Sequence, residues 1–86
     1  MYIARGGKFH TQYKKLPKKL KDQFVQRLKL YLNDPHHPLL HTHSLSGQYK
    51  HLKSFNVSAD IRAVFNSEDG NKLFFIAIGS HSELFT

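Results

Sequence analysis

The chain contains no cysteine. That excludes a disulfide framework and any thiolate metal site, and it fits a reducing compartment. With only 86 residues and no covalent staple, the chain must rely on regular packing of a thin core. No run approaches the roughly 18 apolar residues of a membrane span. The opening "MYIARGGKFH" has no apolar stretch of the secretory type, so the cytoplasm is the expected location and no membrane partner is expected. Internal repeats are lacking too. Acidic residues are few, six Asp/Glu against 13 Lys/Arg.

The charge is unevenly spread. Residues 1–32 hold nine Lys/Arg and one acid, Asp22, for a net +8, whereas residues 33–86 hold four Lys/Arg and five acids, for a net −1. A basic front half suits a polyanion or an acidic partner protein. It is equally compatible with a solvated helix face, because lysines dominate it.

The hydrophobic pattern predicts six elements. "MYIA" is a short strand before Arg5-Gly6-Gly7. Phe9, Tyr13 and Leu16 recur at helical spacing, and Pro17 opens a second helix. That helix carries Leu20, Phe24, Val25, Leu28 and Leu32 on one side and ends at Asn33-Asp34-Pro35. "KHLKSFNVS" alternates as a strand, with Lys53, Phe55 and Val57 on one face and Leu52 and Ser54 on the other. "DIRAVFN" follows, with Ile61, Ala63 and Phe65 opposite Arg62 and Val64. After the Asp-Gly turn, "KLFFIAIG" is apolar on both faces, which marks a central strand. The expected fold is α+β, in the order β-α-α-β-β-β. A helical hairpin covers one face of a four-stranded antiparallel sheet of order 1-4-3-2, and residues 1–86 form a single domain.

Four of the seven histidines fall in "HHPLLHTHSLSG": His36, His37, His41 and His43. The spacing H-H-x3-H-x-H is not that of a zinc finger, and no carboxylate pair supports it, so neither metal nor other cofactor is expected. RNA cleavage without a metal needs a base for the ribose 2′-OH, a cation for the phosphate and an acid for the leaving oxygen. Histidine suits both proton roles and arginine the phosphate role. His43, Arg62 and His81 precede, occupy and follow strands that pair, so they are able to converge. Asp60 stands beside Arg62, and Phe85 offers a ring for base stacking. Singly, each of these residues is as compatible with a surface, ion-pairing or core role. Lys50 and Lys53 are candidate RNA-backbone contacts.

Three segments nonetheless resemble the RelE/ParE superfamily of type II toxins, and its RelE/YafQ-like mRNA-cleaving branch most. "KFHTQYKKLPKKLKDQFVQRL" is similar to its helical hairpin. "HSLSGQYKHLKSFNVSADIRAVF" resembles its H-x-L-x-G segment and the two strands that follow. "IAIGSHSELF" resembles its ending, G-[ST]-H-[SD]-x-[LV]-[FY], the most specific of the three. The resemblance implies a toxin neutralised by a cognate antitoxin. It also implies a ribosome-dependent endoribonuclease cutting mRNA in the A site by 2′-OH attack, without metal. His81 falls on the C-terminal catalytic histidine, His43 on that of the H-x-L-x-G segment, and Asp60 on the strand-opening acid. Arg62 falls on the strand arginine and Phe85 on the terminal aromatic. The sequence departs from the pattern at Asn56, where YafQ-like members carry a further histidine, and at Tyr49 and Ile61, where tryptophan is common. The superfamily also holds ParE-like inhibitors of DNA gyrase and inactive members that only bind antitoxin. Retention of both His43 and His81 favours RNA cleavage.

Overall fold

The structure is a computed structural model that describes residues 2–85, with Phe85 described in its backbone only. The chain runs β1 (Tyr2–Arg5), α1 (Gly7–Lys14), α2 (Lys18–Asn33), β2 (His43–Ser44), β3 (Lys53–Asn56), β4 (Ile61–Asn66), β5 (Lys72–Ser80) and α3 (His81–Phe85). Two single 3-10 turns, Pro38–Leu40 and Gly47–Tyr49, flank β2. Pro17 occupies the N-cap of α2 with extended backbone, one residue before the first helical one. Its missing N–H removes no helical bond there, which is why the helix begins where the sequence predicts.

The sheet has five strands in the order β1-β5-β4-β3-β2. This corrects the expected four-stranded antiparallel sheet in two respects. His43 and Ser44 pair with Ser54 and Lys53 as an added edge strand, too short for alternation to reveal. And β1 runs parallel to β5, with Tyr2 opposite Lys72 and Arg5 opposite Phe75. Adjacency follows from β5 being apolar on both faces, but apolarity carries no information about direction. The tail also differs from expectation: β5 continues to Ser80, and the following residues wind into α3.

The helical hairpin covers one face of the sheet. There Phe9, Phe24, Phe55, Phe65 and Phe75 are buried almost without exposure. Their rings form one aromatic cluster, with centroids 5.4 Å apart for Phe9–Phe24, 5.2 Å for Phe24–Phe75 and 5.5 Å for Phe55–Phe65. Such pairs add about 0.5–1.5 kcal/mol each beyond the area they bury. Tyr31 packs edge-on against Phe65 at 5.1 Å, whereas Leu32, expected on the apolar stripe, is exposed in the last turn of α2. A smaller cluster of Leu52, Val64 and Ala77, joined by Leu45, Ile76 and Leu84, lies apart from that core. Leu52, Val64 and Ala77 take the opposite phase of the strand alternation, on the face that the hairpin leaves open.

One contact ties the hairpin to the strand that leads into α3. β1 pairs with β5 only as far as Phe75, and beyond it the buried Ile78 donates its backbone N–H to Gln12 Oε1 of α1 at 2.9 Å. Replacing Gln12 by alanine leaves that N–H without an acceptor. The expected loss is about 1–3 kcal/mol, read as a lower urea midpoint with an unchanged slope.

Candidate active site on the open sheet face

Strand alternation sends Arg62 to the face opposite the helices. Its register partners are Asn56 on β3 and Gly79 on β5, and in the next row Ser54, Val64 and Ala77 lie side by side, with His43 opposite Ser54. The His43 and Arg62 side chains therefore occupy neighbouring rows on one face. His81 begins α3 directly after Ser80, which pairs with Ile61 beside Arg62. A cleft of about 410 Å³ is lined by His43, Leu45, Ser46, Tyr49, Arg62 and His81.

Each side chain has a local reason for its place. His43 Nδ1 lies 2.8 Å from the carbonyl oxygen of His41. A carbonyl only accepts, so Nδ1 carries the proton and Nε2 of the neutral ring keeps its lone pair. Nε2 lies 3.4 Å from the hydroxyl of Ser54, a fully buried residue on β3. Arg62 is half-buried and makes no hydrogen bond or ion pair with any described residue. It does not pair with Asp60 or Glu83, so its guanidinium remains available to an anion in the cleft.

His81 is held by its neighbours in sequence. The Ser80 N–H donates to Glu83 Oε1 at 2.8 Å, and the Glu83 N–H donates to Ser80 Oγ at 3.2 Å. This is a reciprocal cap on a five-residue helix that has little stability of its own. The Ser-x-x-Glu spacing was legible in the sequence as a helix-start signal. Gly79 makes room for it, because a β-carbon there would lie 3.2 Å from Glu83 Oε1. The hydrogen bond from the Ser80 backbone, then that of its hydroxyl, hold the Glu83 carboxyl below its ordinary value, and Lys15 adds to the effect. The sign follows. The cap is fully formed above the ordinary glutamate range and is lost as pH falls through the lowered value. The Ser80 amide resonance is expected to titrate in that acidic window. Glu83→Gln should abolish the titration while keeping an acceptor in place.

The remaining predicted residues are dispersed. Asp60 is exposed on the turn between β3 and β4 and does not line the cleft. Lys50 is exposed just after the 3-10 turn that carries Tyr49. Lys53 shares its strand phase with Phe55 and lines a different cleft with Tyr31 and Leu32, away from His43 and His81. Phe85 ends α3, and its side chain lies outside the described residues. Tyr49, Leu45, Ser46 and Ser54 were not predicted. Tyr49, 45% exposed, gives the cleft an aromatic face. The signal for it was an aromatic two residues after Gly47, whose φ of +64° turns the loop.

The histidine-rich loop divides by role. His37 Nδ1 accepts the Leu39 N–H at 3.1 Å and caps the first 3-10 turn. Among the described residues, no three His, Asp or Glu side chains converge as a metal site requires. No helix among them is long and apolar enough to cross a membrane.

The whole chain, residues 1–86, matches the family described as bacterial toxin of type II toxin–antitoxin system, YafQ. Among solved structures, YafQ from E. coli superposes with a TM-score of 0.83 at 22% identity, over 98% of this chain and 97% of that one. YafQ in the E. coli DinJ–YafQ toxin–antitoxin complex gives 0.81 at 22% identity, over 98% and 96%. A metal-bound toxin from Helicobacter pylori gives 0.75 at 28% identity, over 99% of each chain. No curated protein matches the sequence.

Proposed function

This chain belongs to the YafQ family of type II toxins, and from that premise we propose that it is an endoribonuclease that cleaves messenger RNA in the ribosomal A site without a metal ion. The observation that carries the proposal is the convergence of His43, Arg62 and His81 on one cleft of the open sheet face. The cognate antitoxin is its physiological partner, as DinJ is for the E. coli protein.

The geometry supports the following step. The ribose 2′-OH gives its proton to Nε2 of His43, whose tautomer the His41 carbonyl fixes. The 2′-oxygen attacks phosphorus, the bond to the 5′-oxygen breaks, and His81 donates a proton to that oxygen. The products are a 2′,3′-cyclic phosphate and a 5′-hydroxyl. Arg62 offers its fork to the two non-bridging oxygens as charge builds on them. Tyr49 stacks on a base beside the cut. Asp60 and Lys50, exposed at the turns on either side, meet the RNA as it enters. Lys53, on the other strand face, has no part in this arrangement. The exposed Lys14, Lys15, Lys18, Lys19 and Lys29 of the hairpin face ribosomal RNA.

The test is to add purified protein to a translation extract and, separately, to a gyrase supercoiling assay. New 5′-hydroxyl ends within codons of translated message are expected, with supercoiling untouched. Inhibited supercoiling with intact message would instead mean a ParE-like inhibitor. Antitoxin binding with neither effect would mean a non-catalytic module.

A further inference from the structure

A second cleft opens on the other side of His41. It is lined by Arg27, Pro38, Leu39, His41, Asn56, Ser58 and Ala59, with a volume of about 360 Å³. Three features set it apart from an ordinary surface fold.

The first is Arg27. Its Nη1 donates to the Leu39 carbonyl at 2.8 Å and lies 3.4 Å from that of Asn56. These bonds fix the guanidinium between α2, the first 3-10 turn and β3. The Nε and Nη2 donors have no partner among the described residues. A guanidinium pinned on one side and unsatisfied on the other is prearranged for an oxyanion.

The second is His41. With φ of +45° it is the one non-glycine residue in the left-handed region among those described. Such a conformation costs about 1–3 kcal/mol and persists where surrounding structure over-determines it. Here the strained residue serves both clefts: its carbonyl fixes the His43 tautomer, and its exposed ring lines the Arg27 cleft. The third is a hydroxyl with spare capacity. Ser58 Oγ accepts the Asp60 and Ile61 N–H groups, at 3.4 and 3.1 Å, so its own O–H is left to donate.

Position gives this cleft its ligand. Asn56, which lines it, is the register partner of Arg62, which lines the active-site cleft. Arg62 stands on β4, and Arg27 reaches from α2 to the Asn56 carbonyl of the adjacent β3, with the His41–His43 segment between their clefts. We propose that Arg27, His41 and Ser58 form a second anion subsite, which holds a phosphodiester of the RNA next to the scissile one. The exposed carboxylate of Asp60, one residue beyond Ala59, disfavours a doubly charged terminal phosphate and leaves the singly charged diester as the ligand class. The inference rests on the endoribonuclease proposal, since it is the same RNA that spans both clefts.

The experiment uses a short synthetic message loaded on ribosomes, with 2′-deoxyribose at the cut position so that binding is read without cleavage. Arg27→Gln is expected to weaken binding about tenfold and to reduce the slope of log K against log salt by about 0.7, the single-strand value for one phosphate. A neutral methylphosphonate at one of the two linkages flanking the cut should weaken the wild type equally and Arg27→Gln no further. His41→Gly retains the backbone carbonyl, tolerates positive φ and leaves the Arg27 bonds in place. It should lose affinity several-fold with a thermal midpoint no lower than that of the wild type, which separates ligand binding from folding. The subsite is refuted if Arg27→Gln and the methylphosphonate weaken binding additively, or if His41→Gly binds as the wild type does. In either case a wild type that still cuts message keeps the endoribonuclease proposal standing. A wild type that cuts no message overturns both.

Discussion

Replacing His81 by alanine is expected to lower message cleavage by about 10²–10⁴-fold, the usual worth of a positioned proton donor. The fold should survive it. His81 is exposed at the first position of α3, and the Ser80–Glu83 cap does not depend on its ring. The thermal midpoint should therefore move little. Loss of rate alone does not identify the general acid, so a second measurement is needed. A message with a sulfur-bridged 5′ linkage at the cut expels a thiolate, which needs no proton. On that substrate the His81→Ala defect should largely vanish and the His43→Ala defect should persist. A defect equally large on the sulfur-bridged message would assign His81 to positioning instead.

The second large effect is expected at Arg62. Arg62→Lys keeps the positive charge but removes the planar fork, and a fall in kcat of about 10²–10³ is expected. KM should change little, because the guanidinium serves charge that develops only during attack. The structure gives a reason to expect so large an effect. Arg62 is half-buried, has no partner among the described residues, and faces Gly79, which has no side chain to crowd it. Among the described residues, nothing competes with the phosphate for it. A lysine variant cleaving at the wild-type rate would show that a point charge suffices.

Much of this was legible in the sequence because strand alternation is a local property. Phe55 and Val57 against Leu52 and Ser54, and Ala63 and Phe65 against Arg62 and Val64, divided between the two sheet faces as the pattern predicts. Pro17 was legible for the same reason, since it acts through its own neighbours, whereas Gly47 and the G-S-H-S-E-L-F ending were legible only through the family resemblance, and the helical form of that ending was not. Other features were not. A two-residue strand such as His43–Ser44 has no period to detect. Tyr31 and Leu32 are adjacent, and the tertiary fit of the last turn decided which of them is buried. Asp60 is a candidate by its place beside Arg62 and by resemblance to the strand-opening acid, and Lys53 is a candidate RNA-backbone contact. They fell outside the cleft because a turn and an alternation separate them from it.

By itself, then, the sequence determined the α+β class, the basic helical hairpin, which residues share a strand face, and the three residue types that proton transfer and phosphate binding need. The tertiary structure alone decided the parallel pairing of β1 with β5, the uncommitted state of Arg62 and the second cleft around Arg27. The physical reason is range. Propensity and alternation act over a few residues. A register that sets Arg62 beside Asn56 and Gly79, or a guanidinium reaching from α2 to the carbonyls of Leu39 and Asn56, exists only once distant segments have packed.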